Sequence, residues 1–179
     1  KTNDCWGKID GVVANAGAVK PTPNEVIDDE DWDWYFNCNF NISVRLIQHL
    51  IEYLKISNGS VVFISSIAGL EELGAPMPYN TSKAALNVYA KGLSSRLAKW
   101  KIRVNVVAPG NILFPGGNWD NKLTNDPDGI KKMINEKVPL NKFGTPEDVA
   151  NIVTYLLSNK AQFITGSLIV VDGGQTTGF

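Results

Sequence analysis

Cysteine is nearly missing from this chain, with two in 179 residues. Cys5 and Cys38 cannot build the disulfide framework of a small secreted scaffold. They read instead as free thiols in a reducing compartment, the cytoplasm. Long apolar runs are missing as well. The longest are a few residues, which excludes a membrane-spanning helix. Charge of one sign is absent too: 17 Lys and Arg stand against 18 Asp and Glu, a formal net charge of −1. No basic block or stripe appears, so electrostatics offer no case for nucleic acid. The first residues, Lys1 to Asp4, show no charged start leading into the apolar core of a signal segment. No repeat, low-complexity tract or linker interrupts the chain. What is present is 44% hydrophobic and 20% charged residues, with 16 Gly and 9 Pro. That composition belongs to one globular domain with a real core.

Four short runs are rich in β-branched residues: Gly11–Ala14, Ser60–Ile64, Arg103–Val107 and Ser167–Val171. Most are continuously apolar rather than alternating, the pattern of strands covered on both faces of a parallel sheet. Helical segments separate them. The order β-α-β-α-β-α-β predicts an α/β fold with a doubly wound, Rossmann-like parallel sheet.

The first helical segment is expected over Glu30–Lys55. At about 100° per residue, Phe36, Phe40, Val44, Ile47, Ile51 and Leu54 share one arc. Ile42, Leu46, Leu50 and Tyr53 widen it to roughly 200°. So broad an apolar surface predicts burial against the sheet and against a second body. Asn39 and Ser43 fall inside that arc, where an Asn is either a structural bridge or part of a site. The acidic run Asp28–Asp31 at the helix start suits the macrodipole and reads as a solvated first turn, not a metal site. A second helix is expected over Pro78–Trp100, with small residues Ala84, Ala85, Ala90 and Gly92 for close helix approach. A third begins at Thr145, where Pro146 and Asp148 make a capping-box pattern. Between the third strand and that helix, Asn111–Gly144 reads as a long irregular segment with one short helix near Ile130–Lys137. A connection of that length is usually a lid or binding segment.

Tyr79 and Lys83 stand four apart and share a helix face. A phenol titrates near 10, and an ammonium one turn away favours the phenolate, bringing the group toward useful acid–base range. Ser65 and Ser66 follow the second strand, Asn15-Ala16-Gly17 the first, and Pro109-Gly110 the third. All three lie at strand carboxyl ends, where open α/β sheets place their ligands.

Taken in order, Ala14-Asn-Ala-Gly17, Asn39, Ile64-Ser-Ser66, Tyr79-Asn-Thr-Ser-Lys83, Asn105-Val-Val-Ala-Pro-Gly110 and Val171-Asp-Gly-Gly174 resemble the classical short-chain dehydrogenase/reductase family. The resemblance runs from Ile9 to Gly174. It implies an oxidoreductase that moves a hydride between NAD or NADP and a carbonyl/alcohol substrate. Tyr79 would be the general acid/base. Lys83 would lower the Tyr79 pKa and bind the nicotinamide ribose. Ser66 would polarise the substrate oxygen, and Asn39 would hold a water linking Lys83 to solvent. Asn15, Ala16 and Gly17 would line the adenosine side of the cofactor, and Pro109, Gly110 and Ile112 its nicotinamide side. A homodimer or homotetramer is also implied.

The departures are specific. Ala14 stands where the family has Asn, and Phe114 where it has a carboxamide-contacting Thr, which leaves that recognition to backbone near Ile112. No Gly-x-x-x-Gly-x-Gly turn follows any strand. The family's opening strands would therefore precede Lys1, and the chain is expected to be the carboxyl-terminal part of a single domain, with residues 111–144 as its substrate lid. Two rival readings are a non-catalytic relative used for oligomerisation or ligand sensing and a sugar-nucleotide epimerase or dehydratase. The intact Asn39, Ser66, Tyr79 and Lys83 oppose the first, and the short stretch from Pro109-Gly110 to Gly174 opposes the second. For the substrate pocket, Leu73, Met77, Phe114 and Trp119 suggest apolar walls, while Glu71, Asn118 and Asp120 suit a polyol or sugar.

Overall fold

The computed structural model describes residues 1–22 and 26–178. Strands β1 (Gly11–Ala14), β2 (Ser60–Ile64), β3 (Arg103–Pro109) and β4 (Leu168–Val171) form one sheet in that order. Every neighbouring pair is parallel, with Val12 opposite Val61, Val61 opposite Val104 and Val106 opposite Leu168. The expected architecture is present. β3 runs two residues further than expected, to Pro109, and β4 starts one residue later, at Leu168.

Side chains alternate across a strand, so each central strand feeds two cores. Val61 and Phe63 join Val12, Ala14, Val104 and Val106 under Ile47, Leu54, Leu86, Ala90 and Leu97. Val62 and Val107 face the other way, against Leu156, Val149, Ile152 and Val153. The helices of the first core are α3 (Ile42–Ser57) and α4 (Met77–Leu97). The helix of the second is α7 (Pro146–Leu157), numbered after three shorter helices, α1 (Thr2–Trp6), α5 (Asn118–Asn125) and α6 (Pro127–Lys137). Helices on both faces make the sheet doubly wound. β1 is paired on one side only among the described residues, and its Val13 faces an apolar cleft of about 400 Å³ beside Ile64, Val149 and Val153.

The segment expected as one helix over Glu30–Lys55 is broken. It consists of α2 (Asp29–Phe36), a π-helical turn (Asn37–Asn41) and then α3. Such turns inside helices are frequent at functional sites, and this one carries Asn39. The helix start is as its charges suggest: Asp28 caps α2 by accepting from the Asp31 N–H at 2.8 Å, and Asp31 pairs with Lys20. The apolar arc is only partly buried. Ile47 and Leu54 are inaccessible and Phe40, Leu50 and Ile51 lean on them, but Ile42, Leu46 and Tyr53 are 46%, 39% and 40% exposed. One sheet face cannot cover 200° of helix. On α4 likewise, Ala90 is buried, whereas Gly92 opens onto empty space.

Residues 111–144 also depart from expectation. Two helices fill most of this segment, α5 as well as α6, and the base is pinned shut. The Leu113 N–H donates to Gly144 O at 2.9 Å and the Gly144 N–H to Asn111 O at 3.0 Å. The α6 end is anchored, with Ile134 and Val138 buried and the Leu140 N–H on Gly173 O. Nothing in α5 is buried. Its sequence, rich in Asn and Asp with weak helix propensity, marks its inner side only by Trp119 and Leu123, four apart. The expected capping box is in place on α7: Thr145 and Asp148 hold each other's backbone N–H groups, and the Thr145 bonds keep the Asp148 carboxyl below its usual range.

Candidate active site

All four strands end at one edge of the sheet. Asn15-Ala16-Gly17 leaves β1, Ser65-Ser66 leaves β2, Gly110 follows β3 and Asp172-Gly173-Gly174 follows β4. Two glycines bring these turns against α4. A Cβ on Gly17 would sit 2.8 Å from Asn39 Oδ1 and 3.1 Å from Lys83 Nζ, so only glycine lets the chain pass there. A Cβ on Gly69 would meet the Lys83 carbonyl carbon at 2.8 Å. Gly69 ends the short 3₁₀ turn Ile67–Gly69, which Ser66 caps by accepting from the Ala68 N–H at 3.1 Å. That turn seats Ser66 directly against the helix bearing Tyr79 and Lys83. Sequence reasoning passed over Gly69. The glycine three residues beyond the serine pair was the available signal.

Lys83 is 3% exposed, and no carboxylate pairs with it among the described residues. Its ammonium donates to Ile64 O at 3.0 Å and lies 5.7 Å from the Tyr79 ring centre. Burial without a counter-charge lowers its pKa to about 8. Tyr79 moves the other way: burial raises its pKa, the neighbouring Ser66 hydroxyl draws it back, and Tyr35 adds to the rise. The expectation that Lys83 brings the phenol down is not met here: burial is the largest influence on the phenol and outweighs the Ser66 hydroxyl. The result is a protonated phenol beside a buried ammonium, one able to give up a proton to a ligand oxygen held by Ser66.

Asn39 lies in the same cluster, fully buried. Its Oδ1 accepts from the Ala18 N–H at 3.0 Å, and its Nδ2 donates to Ala18 O and Tyr35 O at 2.9 and 3.1 Å. The side chain is thus a clasp on the residue after Gly17, and its Oδ1, accepting one bond, keeps a second lone pair close to Lys83. Ser65 is a brace, donating to Lys83 O at 3.2 Å. Asn105 bridges to the lead-in of β4 through Ile164 O and the Ser167 N–H.

Around the cluster, Asn15, Pro109, Ile112 and Phe114 line the approximately 400 Å³ cleft at the strand ends. Phe114 lies flat over Gly117, where a Cβ would meet its ring at 2.9 Å. Of the residues read as substrate contacts, Leu73 and Met77 are exposed, and Trp119 leans on Phe143 with ring centres 5.7 Å apart. Two acidic candidates are already engaged. Glu71 accepts from the Thr177 and Gly178 N–H groups, and Asp120 from the Gly116 N–H at 2.8 Å.

A nicotinamide cofactor can be tested against these residues. A buried ammonium with one donor spent on Ile64 O has N–H groups left for a ribose diol. A cleft with Pro109, Ile112 and Phe114 suits a flat ring. The nicotinamide–ribose half fits. For the pyrophosphate, no strand among the described residues runs through a Gly-x-x-x-Gly-x-Gly turn into a helix.

Comparison with known proteins agrees with this geometry. A family model described as enoyl-(acyl carrier protein) reductase matches residues 1–176. An uncharacterized oxidoreductase of Schizosaccharomyces pombe is 38% identical over 96% of this chain and 66% of its own length. A 3-oxoacyl-[acyl-carrier-protein] reductase, FabG of Thermotoga maritima, is 35% identical over 94% of this chain and 67% of its own. Among solved structures, L-sorbose reductase from Gluconobacter frateurii, complexed with NADPH and L-sorbose, superposes with a TM-score of 0.90. It is 30% identical and covers 99% of this chain and 70% of its own. The chain thus spans about two thirds of the length of the curated relatives it matches. Fold, ordered motifs and matches together show that the chain belongs to the short-chain dehydrogenase/reductase family.

Proposed function

We propose that the protein is an NAD(P)-dependent oxidoreductase acting on a carbonyl/alcohol pair. The observation that carries the reading is the buried, unpaired Lys83 one helical turn from Tyr79 and beside the Gly17 turn. Burying an ammonium without a carboxylate is costly, and a ligand hydroxyl pair would relieve it. When bound, the cofactor supplies the hydride; orientation and proton handling belong to the protein. In the reductive direction Ser66 would donate to the substrate oxygen, and Tyr79 Oη would release its proton to that oxygen as negative charge grows there. Lys83 would hold the ribose and offset the phenolate left behind. Asn15, Ala16 and Gly17 would face the adenosine side of the cofactor, and Pro109, Gly110 and Ile112 the nicotinamide, which Phe114 leaves to backbone contacts. Asn39 would fix Ala18 and the π-helical turn and, through the second lone pair of Oδ1, hold a water linking Lys83 to solvent. The whole protein with NADH or NADPH and a panel of ketones and aldehydes should consume the reduced cofactor. No consumption with any member of a broad panel would sink the reading.

Residues 111–144 act, in this reading, as the substrate lid of a single domain. The pinned base and anchored α6 end leave α5, which has no fully buried residue and rests on Phe143 through Trp119, as the part free to move. Hydrogen exchange in Asn118–Asn125 should slow when cofactor and substrate are both added, with little change at Ile134–Val138. Equal exchange in the free and saturated states would mean a rigid insertion. Assembly follows from the α3 face. Exposed Ile42, Leu46 and Tyr53, with Val88 75% exposed on α4, support a homodimer or homotetramer. Light scattering at micromolar concentration should give a multiple of the monomer mass, and a clean monomer would count against it. Free Cys5 and Cys38 support a cytoplasmic setting.

A further inference from the structure

Tyr35 is the one wholly buried residue of α2, and sequence reasoning did not single it out. It lies one turn before Asn39, and its two ends touch different parts of the site. The ring edge meets Tyr79, with centres 6.4 Å apart and planes at 66°. The hydroxyl donates to Lys20 O at 2.5 Å and accepts from the Lys20 N–H at 3.1 Å, with Thr22 Oγ1 3.1 Å away. A hydroxyl has one proton and two lone pairs, and here the proton and one lone pair serve the same backbone residue. Lys20 is held a second time through its side chain, which pairs with Asp31 and lies over Trp34 at 4.9 Å. Trp34 in turn packs edge-on against Tyr35, with ring centres 4.9 Å apart.

A buried aromatic that only filled space would need no phenol. Leucine or phenylalanine would pack there without bringing a polar atom inside. The phenol instead completes a clasp begun by Asn39: the Asn39 amide brackets Ala18, and the Tyr35 hydroxyl brackets Lys20. Between them they fix the backbone that continues from Asn15-Ala16-Gly17. We propose that Tyr35 is a positioning residue that locks the Ala18–Thr22 segment and the Tyr79 ring into one unit, so that cofactor and proton donor are held in register. It touches neither substrate nor reacting atoms; it acts through Tyr79 on one side and the Gly17 turn on the other. The inference rests on the proposed oxidoreductase reading, but its two halves separate by substitution.

Tyr35→Phe keeps the ring and removes the hydroxyl. It should raise the cofactor KM about tenfold with kcat within twofold of wild type, because only the segment after Gly17 loosens. Tyr35→Leu removes the ring as well and should lower kcat about tenfold in addition, because the Tyr79 ring loses its wall. A purely structural residue would change stability without this ordered split between KM and kcat. An activity-free arm runs in parallel: in Tyr35→Phe the Lys20 amide should exchange faster while β2 and β3 amides keep their protection. Unchanged Lys20 exchange, or an unchanged cofactor KM in Tyr35→Phe, overturns the proposal. If the wild-type protein turns over no carbonyl, the oxidoreductase reading falls. Faster Lys20 exchange together with weaker NAD(P) binding by titration would then still establish the clasp, and their absence would remove it too.

Discussion

Tyr79→Phe should abolish nearly all turnover while leaving fold and cofactor affinity close to wild type. A positioned general acid contributes about 10²–10⁴-fold, and the loss is expected in that range. The reasoning is local. The substitution removes one oxygen and keeps the ring, so the edge contact with Tyr35 survives. Lys83 keeps its bond to Ile64 O, because that bond does not involve the phenol. Ribose binding is therefore intact, and only the proton route is gone. Cofactor titration and steady-state kinetics on the same preparation separate the two effects. Activity within a few-fold of wild type would show that another group delivers the proton, and the assignment of Tyr79 would fail.

The strands were legible because the sheet is covered on both faces by helices: Val61-Val-Phe63 and Val104-Asn-Val-Val107 had to be almost continuously apolar. Their carboxyl ends, and with them the edge that carries the site, followed directly. The π-helical turn at Asn37–Asn41 was not legible. A 100° periodicity assumes a constant helix, and Phe36 and Phe40 kept the periodic pattern across a break that backbone hydrogen bonding alone defines. α5 was hidden for the opposite reason, having no buried face to impose a period.

Within the candidate site, which residues come together was legible and the energetics were not. Tyr79, Lys83 and Ser66 come together as their spacing implied. Which effect sets the phenol's titration depends on burial and on a distance, and neither is written in the spacing. The roles of Asn39, Tyr35 and Gly69 depend on contacts between segments 14 to 21 residues apart in sequence. No local pattern encodes those contacts. Glu71 shows the converse. A carboxylate near a catalytic turn suggests substrate, yet it holds the backbone of Thr177 and Gly178, 106 and 107 residues away.

Lys83→Met should make the protein inactive and, at neutral pH, more stable. The Lys83 pKa falls from 10.5 to about 8 on folding, through burial. A lowered lysine pKa means the folded state binds its proton less tightly than the unfolded chain. Below about pH 8 the group is charged in both states and the folding penalty is complete. Between about 8 and 10.5 the penalty shrinks, and above that the amine is neutral in both. At 1.36 kcal/mol per pKa unit the full penalty is about 3 kcal/mol. Methionine escapes it but forfeits the bond to Ile64 O and leaves that acceptor buried, which costs about 1–3 kcal/mol. The net gain at pH 7 is then up to about 2 kcal/mol, shrinking to zero or reversing by pH 10. Urea denaturation of both proteins at the two pH values measures the sign directly. A variant less stable than wild type at pH 7 would mean that the ammonium is satisfied in the folded state, and the case for a waiting ribose would lose its physical basis. In the proposed reaction the same titration would govern catalysis in the wild type. Reduction needs the proton on Tyr79 and the charge on Lys83, and both are present below about pH 8. Reductive kcat/KM should therefore be flat toward neutral pH and fall about tenfold per unit above 8. Burial places this stability penalty and this pH limit on one side chain, which is how a functional site comes to be bought with folding free energy.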